Sequence, residues 1–124
     1  MEGFAILAQA LDMRIATGEN LNTKYAFADL IGRRGVDVVQ PDDRRAGGVT
    51  EWMEIAAIAD ANGLELASHG GGSTNLNMLL AMPNAIYMET GGRQEMIDGE
   101  VAAPEEPGMS SEVSEAEIKR YKVG

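Results

Sequence analysis

The chain contains no cysteine. That excludes a disulfide framework and any thiolate metal site, and it matches the reducing interior of a cytoplasmic protein. Basic residues are scarce: 10 Lys and Arg stand against 20 Asp and Glu, giving a formal net charge of −10. Nothing resembles a basic stripe, so nucleic acid is not an expected partner. No apolar run approaches the length of a membrane span, and Met1-Glu2-Gly3-Phe4-Ala5 has no basic leader, so no membrane association is expected. The chain is also short. Its 124 residues suffice for one modest domain, whereas a closed (β/α)8 barrel takes about 250.

What is present is an alternation. Four short apolar runs, 14–16, 36–40, 64–68 and 85–88, predict strands. Between them, the spacing of Phe27, Leu30 and Ile31 predicts a helix over 25–34. Trp52, Ile55, Ala56 and Ala59 fall at i, i+3, i+4 and i+7 and predict a second over 50–62, with Thr50 as its cap and Gly63 as its stop. A third, over 75–82, is closed by Pro83. An opening helix over 4–11 feeds the first strand. Strands alternating with helices are the pattern of a parallel sheet, and runs this apolar suit strands covered on both faces. From 91 to 108 the sequence turns rich in Gly, Pro and acid and reads as an irregular extension. A last helix over 114–121 is expected, with Ser114 and Glu117 as a capping box.

Right-handed crossovers would bring every strand's C-terminal end to one rim, where parallel barrels carry their chemistry. Each predicted strand is followed there by one ionisable residue: Glu19, Asp42, His69 and Glu89. Taken singly, each has a plain explanation as a loop acid, a helix cap or a structural histidine. All four positions filled with proton-transfer or metal-ligand groups point instead to an active-site rim. Glu19 offers a hard oxygen to an ion such as Mg2+. The Asp42 carboxylate can accept the imidazole Nδ1–H of His69, leaving Nε2 for proton transfer. Glu89 can hydrogen-bond where negative charge grows on a substrate. Together these suit proton abstraction beside a carboxylate. Gly70-Gly71-Gly72-Ser73 leads into a helix, so the amides of Gly71, Gly72 and Ser73 are candidates to bind a substrate carboxylate or phosphate, although a merely flexible turn explains them equally. Arg44 and Arg45 are expected to be solvated, and Trp52 to be a packing residue.

Ala16-Thr17-Gly18-Glu19-Asn20, then Val38-Val39-Gln40-Pro41-Asp42 with Gly47-Gly48-Val49-Thr50-Glu51, then Ser68-His69, then Tyr87-Met88-Glu89, resemble the mandelate racemase/muconate lactonizing enzyme family of the enolase superfamily. The resemblance covers essentially the whole chain. It implies an α/β fold, the C-terminal part of a (β/α)7β TIM-type barrel: residues 1–92 as about four strands of the barrel, and 93–124 as an extension packing on a capping domain. It further implies Glu19 as a Mg2+ ligand, Asp42 and His69 as the catalytic dyad, and Glu89 as the residue that hydrogen-bonds the enolate intermediate. The substrate would be a hydroxy acid or sugar acid, and the reaction a dehydration or racemisation, with the stretch from Gly70 to Asn75 closer to sugar-acid dehydratases. The family's lysine motif and its two other carboxylate ligands have no counterpart here. Arg14 and Ser68 stand where proline is common.

Three expectations follow. The chain acts with the N-terminal part of a barrel and its capping domain, which complete the Mg2+ site. Alternatively, it is a truncated or degenerate half-barrel, inactive alone, serving as a structural or interaction module. Or two copies self-associate to close the sheet, because open parallel edges and uncovered apolar faces favour association.

Overall fold

The computed structural model describes residues 1–91, 95–105, 107–109 and 115–123. Helix α1 (Glu2–Ala10) precedes strand β1 (Ala16–Thr17). Three helix–strand units follow: α2 (Thr23–Gly32) and β2 (Val38–Val39), α3 (Val49–Ala61) and β3 (Glu65–Ser68), α4 (Ser73–Leu80) and β4 (Ala85–Met88). The four strands form one sheet in the order β1-β2-β3-β4. All pairs are parallel, with Ala16 opposite Val38, Val39 opposite Leu66, and Ser68 opposite Met88. Sequential order with right-handed crossovers puts α2, α3 and α4 on one face and all four C-terminal strand ends on one rim. The fold class expected from the alternation is the one observed.

The core forms where the helical stripes meet the sheet. Phe27, Leu30 and Ile31 of α2 and Trp52, Ile55, Ala56 and Ala59 of α3 pack with Val39 and Leu66. Phe27, Leu30, Trp52 and Ile55 are fully buried, and removing an aliphatic or phenyl side chain from water contributes about 1.5–3 kcal/mol each. Coverage differs from expectation at the sheet's edges. Both residues of β2 are buried, but on β4 Tyr87 is 68% exposed and Ile86 37%. An edge strand has a neighbour on one side only, so its faces are less shielded.

Several boundaries shift for local reasons. Pairing in β1 begins at Ala16 because Ile15 donates its N–H to the side chain of Asp37, at 2.7 Å to Oδ2, and Arg14 forms an ion pair with Glu65. Thr50 is not the cap of α3. The helix starts a residue earlier, on Gly48, whose φ of 88° suits glycine. Helix α4 likewise begins at Ser73 rather than at 75.

The stretch expected to be irregular contains a hairpin. Strands β5 (Met96–Ile97) and β6 (Glu100–Val101) pair antiparallel, Met96 opposite Val101. Asp98 and Gly99, with φ of 53° and 84°, form the two-residue turn. Positive φ at both central positions is the type I′ geometry that Asp-Gly favours, and that signal explains the difference. The final helix, α5, spans Glu115–Tyr121; the expected capping box includes Ser114, outside the described residues. No helix among the described residues is long and apolar enough to cross a membrane.

Candidate active site

Three of the four predicted rim residues come from the segments just after β1, β2 and β3, and the fourth follows β4 directly. The backbone brings two of them together first. Asp42 and His69 form an isolated parallel bridge beyond the ends of β2 and β3. The Pro41 carbonyl accepts the His69 N–H at 3.1 Å and the buried Trp52 Nε1–H at 3.2 Å. Trp52 is therefore more than a packing residue. Its indole ties α3 to the peptide that presents Asp42.

Side chains complete the cluster. His69 Nδ1 lies 2.9 Å from Asp42 Oδ2, and His69 Nε2 lies 2.7 Å from Glu19 Oε2. Glu89 Oε2 stands 3.9 Å from the same Nε2 and accepts the Gly70 N–H at 2.7 Å. All four residues thus meet around one imidazole. Nε2, expected to be left for proton transfer, is paired in the structure with Glu19 Oε2, one of three carboxylates gathered around the imidazole.

Asp42 is the best held of the three acids. Its Oδ1 accepts the backbone N–H groups of Arg44 and Arg45, both at 2.9 Å. Burial pushes its carboxyl up, but the His69 bond and those two amides outweigh this and hold it below the usual carboxylate range. The His69 imidazole is raised, first by its bond to Asp42, against burial, with the charges of Glu19, Glu89 and Asp42 adding to the effect. These carboxylates stabilise the imidazolium relative to that of a free imidazole.

Residues not expected to act at the site support the arrangement. Asn20 Nδ2 donates to Glu19 Oε1 at 2.7 Å, and the Arg45 guanidinium reaches Asn20 Oδ1. Arg45 is therefore engaged at the rim, not simply solvated; its place close behind Asp42 was the available hint. Gly18 is held where a Cβ would lie 2.6 Å from the Phe27 ring and 2.9 Å from the Gln40 carbonyl oxygen, and its φ is 142°. Only glycine lets the chain turn there toward Glu19. Gly71 and Gly72 lie in the turn from β3 into α4, with Gly72 preceding the helix at a φ of 109°, and Ser73 is the first residue of α4.

For a divalent ion, this set is incomplete. Among the described residues no group of three or more His, Cys, Asp or Glu is arranged to hold a metal. Asp42 and Glu89 are engaged with His69 and with backbone amides, and Glu19, its side chain 42% exposed, is itself engaged by His69 and by Asn20. A Mg2+ site needs about six oxygens including waters, usually with more than one carboxylate.

Comparison with known proteins agrees with the fold. Residues 1–117 match the family described as enolase C-terminal domain-like. The 3,6-anhydro-alpha-L-galactonate cycloisomerase of Streptomyces coelicolor is 33% identical over 119 residues, covering 89% of this chain and 33% of that protein. The L-talarate/galactarate dehydratase of Salmonella typhimurium is 38% identical over 89 residues, covering 72% of this chain and 22% of its own. The crystal structure of a Polaromonas L-talarate dehydratase complexed with Mg and L-glucarate superposes with a TM-score of 0.83 at 32% identity, over 95% of this chain and 35% of the other. A Streptomyces coelicolor racemase with bound magnesium gives 0.85 at 31%, with the same coverage. The chain therefore spans a third or less of the curated relatives named here, and its parallel strands correspond to the C-terminal part of their barrels. By sequence and by fold, the chain belongs to the mandelate racemase/muconate lactonizing enzyme family of the enolase superfamily.

Proposed function

We propose that this chain carries the proton-transfer half of an active site that removes the proton α to the carboxylate of a sugar acid or related hydroxy acid, in a dehydration or a racemisation. The observation that carries the reading is the imidazole of His69, bonded through Nδ1 to Asp42 and flanked at Nε2 by two further carboxylates. With Nδ1–H donated to Asp42, Nε2 is the atom that takes or returns the proton. Glu89 stands beside it to hydrogen-bond the oxygen on which enolate charge grows. As the neutral imidazole, Nε2 accepts the α proton; the imidazolium so formed is stabilised by the carboxylates around it and returns the proton to carbon or to a departing hydroxide.

In this reading Glu19 supplies one oxygen ligand to Mg2+, and the remaining ligands come from residues outside this chain. When bound, the ion stabilises negative charge on the substrate carboxylate. Residues 1–92 act as the C-terminal half of the barrel, and 93–124 as the return toward a capping domain. Support for such a partner lies in the exposed apolar side chains along α1 and its exit, Ile6, Leu7, Leu11 and Met13, and in Tyr87 on β4. A second copy of the chain is the competing occupant of these surfaces.

The test is to graft this chain in place of the matching segment of the Polaromonas L-talarate dehydratase and follow α-proton exchange of sugar acids in deuterated water with Mg2+. Exchange that disappears in His69→Asn supports the reading. A folded graft that binds Mg2+ and exchanges no α-proton contradicts it.

A further inference from the structure

Among the described residues two polar side chains are buried, Ser68 and Asn75, and both direct hydrogen bonds to the turn that follows His69. Asn75 is out of place by the rules of its helix. With Met78 and Leu79 it occupies the buried stripe of α4, at i, i+3 and i+4, where an apolar residue is the norm. Its Oδ1 is buried without a partner among the described residues, a cost that a leucine of similar size would not incur.

The amide nitrogen accounts for the choice. Asn75 Nδ2 lies 3.4 Å from the His69 carbonyl oxygen, 3.4 Å from that of Gly70 and 3.2 Å from that of Gly71. Ser68 Oγ donates to the Gly70 carbonyl at 2.9 Å. Only a donor can face three carbonyl oxygens, which fixes the side chain's orientation. In a planar trans peptide the C=O and the next N–H point in opposite directions. Drawing the His69 carbonyl toward Asn75 therefore turns the Gly70 N–H the other way, to Glu89 Oε2 at 2.7 Å, the oxygen that stands 3.9 Å from His69 Nε2. Gly70, at a φ of 73°, accepts this rotated peptide without strain.

We propose that Asn75 is a positioning residue, which fixes the His69–Gly70 peptide plane so that the Gly70 N–H anchors Glu89 beside His69 Nε2. The assignment rests on the reading of Glu89 as the group that meets the growing charge. Ser68 assists by holding the next carbonyl in the same sense.

The test is amide hydrogen exchange and the proton shift of Gly70, measured by NMR on this chain, with the Leu66 amide of β3 as control. Leu66 donates to Asn84 at 2.9 Å, away from the turn. In Asn75→Leu, Gly70 exchange accelerates by about tenfold or more and its shift moves toward that of Glu89→Gln, while Leu66 stays protected. Asn75→Ala, which adds no bulk, gives the same pattern and stands in if the leucine is not accommodated. Gly70 unchanged in either folded variant overturns the proposal. So does a wild-type Gly70 amide that exchanges as fast as an unprotected one, with no variant required. In the grafted barrel, Asn75→Leu lowers kcat with KM nearly unchanged, whereas a graft in which His69→Asn has no effect sinks the catalytic reading and leaves the Gly70 result standing.

Discussion

His69 Nε2 and Glu19 Oε2 meet at 2.7 Å, although Glu19 follows β1 and His69 follows β3, with β2 between them. The contact spans the rim of the sheet above Asp42, which occupies the other side of the same imidazole at 2.9 Å. A single histidine thus links the ends of three successive parallel strands. Its protonation state depends on all of them.

Removing the Asp42 carboxylate removes the largest influence on that imidazole. Asp42→Asn therefore moves the His69 titration down toward its ordinary value of 6.5. Glu19→Gln moves it the same way by less, because Glu19 acts through charge alone. Proton NMR titration of the imidazole C–H resonances checks the order of the two effects.

The same pair sets a pH window for stability. His69 is raised in the fold, so its contribution is full below about 6.5 and is lost as pH rises through the higher folded value. Asp42 is lowered, so its contribution is full above about 3.8 and is lost as pH falls through the lower folded value. Urea midpoints of the wild type therefore decline relative to His69→Asn as pH is raised above about 6.5. A wild type that gains on the variant over that range contradicts the assignment.

Gly18→Ala places a methyl group against the Phe27 ring and the Gln40 carbonyl at a positive φ. Overpacking of this kind costs about 1–3 kcal/mol, and here the backbone term adds to it. Denaturation should show that loss, with the Glu19 contact to His69 weakened as well. Gly70→Ala separates the two causes, because no atom lies within 4 Å of its added Cβ and only the φ penalty remains.

Trp52→Phe keeps most of the buried ring and deletes the bond from Nε1 to the Pro41 carbonyl. A lost neutral hydrogen bond costs about 0.5–1.5 kcal/mol. Because the same carbonyl accepts the His69 N–H, the His69 amide should exchange faster in the variant, an effect that loss of packing at a distance would not produce.

The sheet and its rim were legible in the sequence because apolar periodicity and strand-end chemistry are local signals. Phe27, Leu30 and Ile31, and then Trp52, Ile55, Ala56 and Ala59, are buried as their spacing implies. What the sequence did not disclose depends on contacts between distant segments. The partnership of Arg45 with Asn20 joins the loops after β2 and β1, and the pairing of Nε2 with Glu19 depends on how closely three strands pack. Asn75 lay between: an amide on an apolar stripe is visible in the sequence, but the three carbonyls it faces are not. The Asp98-Gly99 turn is a local signal, but its two-residue strands carry almost none, because they sit in a stretch dominated by loop-forming residues.

The most direct measurement uses the fact that the chain has one histidine, so a long-range proton–nitrogen correlation spectrum reports His69 without ambiguity. At a pH near 6.5, where a free imidazole is half protonated, the arrangement of Asp42, Glu19 and Glu89 predicts predominantly imidazolium nitrogens, with the neutral remainder protonated on Nδ1. An imidazole that titrates at or below 6.5, or that carries its neutral proton on Nε2, would contradict the convergence of these four residues on one site.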